Sequence, residues 1–79
     1  MKISFIGAGN IAQQLAPALK RCGHTIQEIC NRNPLRGKQL AEKVNATYVN
    51  YISKIKDVDA VIIAVKDDAI SEVVKNFLH

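Results

Sequence analysis

Residues 2–19 read "KISFIGAGNIAQQLAPAL", and the change of rhythm inside this stretch decides the fold. Ile3 to Ile6 is a short apolar run cut off by Gly7, as a strand buried on both faces would be. From Ile11 the apolar residues recur at helical spacing. Ile11, Leu15 and Leu19, with Ala12, Ala16 and Cys22, line one face. Lys20-Arg21 and then Gly23 suit the end of that helix. Pro17 lies within it and should remove the bond to the Gln13 carbonyl, kinking the helix at a cost of about 3 kcal/mol. A strand followed through a glycine turn by a helix is the opening of a strand–helix–strand unit.

The rest of the chain repeats the alternation. Thr25 to Asn31 ("TIQEICN") reads as a second strand with Ile26 and Ile29 to bury. Asn33-Pro34 starts a second helix, with Asn33 as N-cap and Pro34 at the first helical position. It runs to Val44, burying Leu40, Ala41 and Val44, and Asn45 takes the left-handed cap. Ala46 to Val49 is a short third strand. "NYISKIKDVD" (50–59) is a loop with one helical turn, and "AVIIAV" (Ala60 to Val65) is the most strand-like segment of all. Asp67 or Asp68 caps a last helix, whose Ile70, Val73, Val74 and Phe77 share one face. Strands alternating with helices imply right-handed crossovers. The expected fold is therefore α/β, a parallel sheet of about four strands with helices on both faces; the order is taken as 3-2-1-4, that of the doubly wound arrangement.

Composition narrows the function. Seventy-nine residues make one small domain at most. Apolar residues at 48% and charged residues at 23% read as globular rather than disordered. The net charge of +4 suits a small phosphorylated ligand. Nucleic acid is disfavoured, because aromatics are only 5% and no recognition signature is present. Cys22 and Cys30 have neither metal-ligand nor C-x-x-C spacing, so both read as free buried thiols in a reducing compartment. The N-terminal run is broken by Ser4, Gly7 and Gly9 and is not a signal peptide. Ala60 to Val65 is too short to cross a bilayer, so no membrane role is expected and the chain reads as cytoplasmic. No metal or catalytic constellation emerges. His24, just past the first helix, reads as a packing or surface residue, and His79 is terminal.

The glycine turn carries the chemistry. Gly7, Gly9 and Ala12 form G-x-G-x-x-A, weak alone but placed here between a strand and a helix. Gly7 makes the turn, with Ala8 between the glycines. Gly9 lacks a side chain, so a pyrophosphate can approach the backbone, and Ala12 keeps the helix close to the sheet. The amides of Asn10 and Ile11 then face an anion at the positive end of the helix dipole. About twenty residues further on, a site for NAD would offer a carboxylate to the ribose hydroxyls. This chain offers Asn31-Arg32, with Arg36 and Lys38 nearby. An amide and a guanidinium donate to a 2′-phosphate that a carboxylate would repel. NADP is favoured over NAD. Arg36 and Lys38 lie within reach of the same corner but read better as solvated cations, and Glu28 precedes the strand tip by three residues and faces elsewhere. Val65 and Lys66, at the end of the fourth strand, would border the nicotinamide ribose and pyrophosphate. Asp67 and Asp68 are better caps than an acid/base pair.

With "GAGNIA", "CNRNP" and "DAVIIAVKDDAI" in place, the chain resembles the N-terminal NADP-binding Rossmann domain of one superfamily. That superfamily includes pyrroline-5-carboxylate reductase and the deazaflavin-dependent NADP oxidoreductases, and "VKDDAI" is most similar to an uncharacterised Rossmann-like oxidoreductase group within it. The resemblance covers essentially the whole chain. It implies pyrophosphate contacts at Gly7, Gly9, Asn10 and Ile11, 2′-phosphate contacts at Asn31 and Arg32, and a nicotinamide border at Val65 and Lys66. Asn33 departs from the Ser or Thr common after the Arg, which removes a hydroxyl contact. Relatives continue into a helical domain that binds substrate and often forms the dimer. The expectation is thus the N-terminal part of a dinucleotide-binding domain, with the substrate domain missing and the fragment alone inactive. The parent would transfer hydride between nicotinamide and a C=N, C=O or deazaflavin acceptor. The rival is a non-catalytic NAD(P)-sensing module. A methyltransferase is disfavoured, because it would want an acid where Asn31-Arg32 stand. The apolar strand from Ala60 to Val65 should also recruit further polypeptide or a second copy along its outer edge.

Overall fold

The structure is a computed structural model, which describes residues 1–64. Within them the chain forms β1 (Lys2–Ile6), α1 (Asn10–Arg21), β2 (Thr25–Cys30), α2 (Pro34–Val44), β3 (Thr47–Val49), a 3-10 turn (Ile52–Lys54) and β4 (Ala60–Ile63). The four strands are parallel, as the alternation of periods implied, and ordered β3-β2-β1-β4, the order expected. Val65, Lys66, the aspartates after them and the expected last helix lie outside the described residues.

Alternation along β1 separates two cores. Ile3 and Phe5 pack with Ala12 and Ala16 of α1 and with Leu40, Ala41 and Val44 of α2, so both described helices share one face of the sheet. Small residues on α1 let its axis come close to the strands. Ile6 points to the other face, where it meets Cys30 and the half-buried Val49, Ile52, Ile55 and Val61. The connection from β3 to β4 crosses that second face, as right-handed crossovers in this strand order demand.

A register shift refines the packing. Ile3 pairs with Ile26, but the next residue, Ser4, pairs with Glu28, leaving Gln27 as the extra residue of a bulge. Strict alternation would send Ile26 and Ile29 to opposite faces. The bulge brings both into the helix-covered core and turns Glu28 and Cys30 to the other side.

Two apolar assignments on α1 change. Ile11 is 70% exposed, because the stripe that meets the sheet is centred on Ala12 and Ala16 and Ile11 lies to its side. Cys22 is exposed rather than buried, since it caps the helix as the chain leaves for Gly23, while Cys30 is buried as expected. The helix runs from Asn10 to Arg21 through Pro17 as one element. The second helix matches its signals: Asn33 caps it, Pro34 opens it, and Asn45 closes it at φ 56°.

Candidate functional site

The carboxyl edge of the sheet gathers the segments singled out above. Gly7 leaves β1 with φ 105°, a left-handed value that L side chains resist. Its amide donates to the Cys30 carbonyl at 2.7 Å, which ties the glycine turn to the tip of β2 one residue before Asn31. On the other side the Ala64 amide donates to the Ile6 carbonyl, also at 2.7 Å, so β4 ends beside the same turn. Strand order reverses between β1 and β4, and the crevice at such a point is where open α/β sheets bind ligands.

Gly9 is the N-cap of α1, and its φ of −79° is open to any residue. A Cβ there would meet no described atom within 4 Å. Neither backbone strain nor neighbouring atoms among those described therefore demand glycine. A ligand that must touch the backbone would. No side chain caps α1, and its first turn has no acidic residue. The leading amides of a helix have no intrahelical acceptor, so those of Asn10 and Ile11 are presented to the crevice. Gln13 braces the turn from within, its backbone amide reaching the Gly9 carbonyl at 2.9 Å and its side chain the Ala8 carbonyl at 3.2 Å. Ala8 and Ala12 are buried, so their methyls belong to the core and Ala8 can offer only backbone to a ligand.

The tip of β2 is organised differently. The Asn31 side-chain amide donates to the Asn33 carbonyl at 2.9 Å, and Asn33 Oδ1 accepts from the amides of Leu35 and Arg36 at 3.0 and 3.4 Å. The amide assigned to a phosphate thus also holds its own turn, and only its second N–H is left for that role. It also means that the start of α2, unlike that of α1, is filled by a cap. Arg32 and Arg36 are exposed on this corner. Leu35 between them is 67% exposed.

Three residues carry the remaining contacts, two of them, Tyr48 and Gly37, not singled out in the sequence and both at this corner. Tyr48 on β3 donates its hydroxyl to the Asn31 carbonyl at 2.7 Å. Gly37 in α2 makes room for it: a Cβ there would lie 2.7 Å from Tyr48 Cδ1 and closer still to Cε1. A glycine inside a helix, costly by about 1 kcal/mol against Ala, was the sequence signal for such a close approach. The third is Glu28, only 4% exposed, which accepts from the Ser4 hydroxyl at 2.8 Å and from the Lys56 amide at 3.1 Å. It fastens the β3–β4 connection to the sheet and points away from the phosphate corner. Burial, and secondarily the Glu28 charge, push the Cys30 thiol above its ordinary value of 9.0, so it stays protonated and inert at neutral pH. His24 Nδ1 lies 3.2 Å from the Met1 amine, beside the start of β2 and far from the carboxyl edge. Among the described residues no His, Cys, Asp and Glu cluster could hold a metal ion, and no helix is long and apolar enough to cross a membrane.

This geometry has clear relatives. The family described as NADP oxidoreductase, coenzyme F420-dependent, matches residues 2–79. A crystal structure described as an NADP oxidoreductase from Bacteroides fragilis superposes with a TM-score of 0.92 at 33% identity, over 99% of this chain and 31% of the other. The WlbA dehydrogenase from Chromobacterium violaceum, solved with NADH and UDP-GlcNAcA, gives 0.76 at 21% identity, over 82% of this chain and 20% of its own. A protein described as a myo-inositol dehydrogenase from Sinorhizobium meliloti gives 0.81 at 20%, over 98% and 24% respectively. The last two likenesses show the Rossmann-like fold alone. The chain spans less than a third of each of these structures. No curated protein sequence matches it.

Proposed function

The chain belongs to the family of coenzyme F420-dependent NADP oxidoreductases, and from that premise we propose that it forms the NADP(H)-binding part of an oxidoreductase. The observation that carries the proposal is the opening turn of α1. Its amides are uncapped, it follows a positive-φ glycine, and Gly9 leaves open a space that a Cβ would enter. In this reading the backbone of Gly7, Ala8, Gly9, Asn10 and Ile11 grips the pyrophosphate, while Ala12 holds the helix against the sheet. The exposed Ile11 side chain shields one flank of the ligand from water. Arg32 pairs with the 2′-phosphate, supported by Arg36 and by the remaining N–H of Asn31. Val65 and Lys66 border the nicotinamide side.

The nicotinamide, when bound, supplies the hydride chemistry, and these residues bind and orient it. The acceptor is a C=N, C=O or deazaflavin group held by polypeptide beyond this dinucleotide-binding part, in keeping with relatives three times longer. Among the described residues β4 pairs only with β1, so its outer edge is where further strands or a second copy would add. Preference for NADP over NAD rests on the cationic tip of β2, where no carboxylate stands to receive the ribose hydroxyls. Arg32→Asp tests it: the variant should bind NADPH about a hundredfold more weakly in a fluorescence titration, as expected when a charged pair becomes a repulsion, while NADH changes little. Equal losses for both nucleotides would remove Arg32 as the selecting residue.

A further inference from the structure

The Tyr48 hydroxyl ends on the one carbonyl that governs the direction of the phosphate-reading arginine. Asn31 and Arg32 share a peptide group, and there are no cis bonds among the described residues. In a planar trans peptide the carbonyl of one residue and the N–H of the next point in opposite directions. A hydrogen bond that fixes the Asn31 carbonyl therefore fixes the Arg32 N–H and narrows the direction in which its side chain leaves the chain. The bond is 2.7 Å long and half-buried.

The surroundings are built for this contact. Gly37 stands where any larger residue would overlap the Tyr48 ring, and its absent Cβ would also lie 3.1 Å from the Asn31 Cβ. Helix α2, strand β3 and the tip of β2 thus meet at one point that tolerates no extra atom. The Lys38 ammonium sits 5.9 Å from the centre of the same ring, so the tyrosine also holds a second cation at this corner. The Asn31 and Asn33 side chains close the turn from the other side.

We propose that Tyr48, seated against Gly37, is a positioning residue that sets the preference for a 2′-phosphorylated dinucleotide by holding the Asn31–Arg32 peptide in the orientation the phosphate requires. The inference rests on the NADP reading above and names the residue that enforces it. Tyr48 touches no ligand in this scheme. Its effect passes through Arg32.

The test measures NADPH and NADH affinities by calorimetry on the intact protein and on Tyr48→Phe, which keeps the ring and loses only the hydroxyl. The expected result is a loss of about five- to tenfold for NADPH, at most the size of one half-buried hydrogen bond, with NADH changed less than about twofold. Gly37→Ala, which displaces the ring, should move the ratio in the same direction. In an Arg32→Ala background, Tyr48→Phe should add less than about twofold, because two residues acting through one contact are not additive. A loss of general stability alone would weaken both nucleotides together, so equal losses or no loss overturn the inference while the NADP reading stands. A full Tyr48→Phe effect without Arg32 overturns it as well. Wild-type protein that binds neither nucleotide, or binds NADH as tightly as NADPH, overturns the underlying reading and this inference with it.

Discussion

At the scale of single residues, the two glycines of the turn have different reasons to be glycine. Gly7 sits at φ 105°, where a Cβ collides with its own backbone, so its identity is a demand of folding. Gly9 has an ordinary φ and open space around it among the described atoms, so nothing described in the fold demands glycine there, and the proposed ligand contact supplies the reason. Substitution should separate them. Gly7→Ala should destabilise the fold by roughly 1–2 kcal/mol in urea unfolding, the penalty for a left-handed L residue. Gly9→Ala should leave the unfolding midpoint unchanged or slightly raised, because alanine narrows the unfolded ensemble, yet should weaken dinucleotide binding at least about tenfold. A Gly9→Ala variant with wild-type affinity would mean that no pyrophosphate approaches this backbone. The motif was legible in the sequence. So was the expectation that Gly7 makes the turn and Gly9 faces the ligand; the positive φ of Gly7 and the open space at Gly9 were not, because they depend on the backbone path and on neighbouring atoms.

At the scale of elements, β2 shows how one extra residue redirects a strand. Its sequence, "TIQEIC", spaces Ile26 and Ile29 three apart, which fits no two-faced strand. The bulge at Gln27 resolves the conflict, and in doing so it turns Glu28 inward opposite Ser4. The buried carboxylate is tolerable because the Ser4 hydroxyl and the Lys56 amide both donate to it. The long connection across the second face is therefore fastened by a polar contact as well as by Ile52 and Ile55. Ser4→Ala removes one donor from a buried acceptor and should cost about 1–3 kcal/mol in a urea melt. Gln27→Ala, whose side chain reaches only the exposed Asp57 carbonyl at 3.4 Å, should stay within about 0.5 kcal/mol of wild type. Similar losses for both would show that the Glu28 contact contributes nothing special. Helix α2 presents the opposite case. Its cap, its opening proline and its left-handed end were all read locally, because capping depends on residues within one turn of each other.

For the whole molecule, a small domain has little stability in reserve, and ligand binding should weigh heavily in it. In the proposed reading the described elements serve the adenine half of a dinucleotide, with the pyrophosphate at α1 and the phosphorylated ribose at the tip of β2. A ligand that binds only the native state adds about 2.7 kcal/mol at a hundred times its dissociation constant. In thermal unfolding, adenosine 2′,5′-bisphosphate should therefore give most of the upward shift seen with NADPH, and nicotinamide mononucleotide little of it. The reverse order would mean that the recognition lies on the nicotinamide side. Alternating periods gave the parallel sheet and the glycine turn marked its ligand-binding edge, so, with the strand order taken as that of the doubly wound arrangement, the location of the site was available before its geometry. The exposure of Ile11 and Cys22 was not. Helical periodicity marks an apolar stripe but does not say which of its residues centre on the sheet and which lie at its margin.

From the sequence alone came the alternation of strand and helix, the sheet order, the glycine turn and the cationic tip of β2. All but the sheet order depend on near neighbours along the chain, through side-chain period, capping and backbone permission; the order came with the doubly wound arrangement those elements fit. Only the tertiary structure decided that Glu28 turns inward, that both described helices share one face, and that Tyr48 reaches across to the Asn31 carbonyl through the gap at Gly37. Those contacts join residues far apart in the chain, and their existence turns on a register shift and on a few tenths of a nanometre of clearance. No local pattern of residues encodes either.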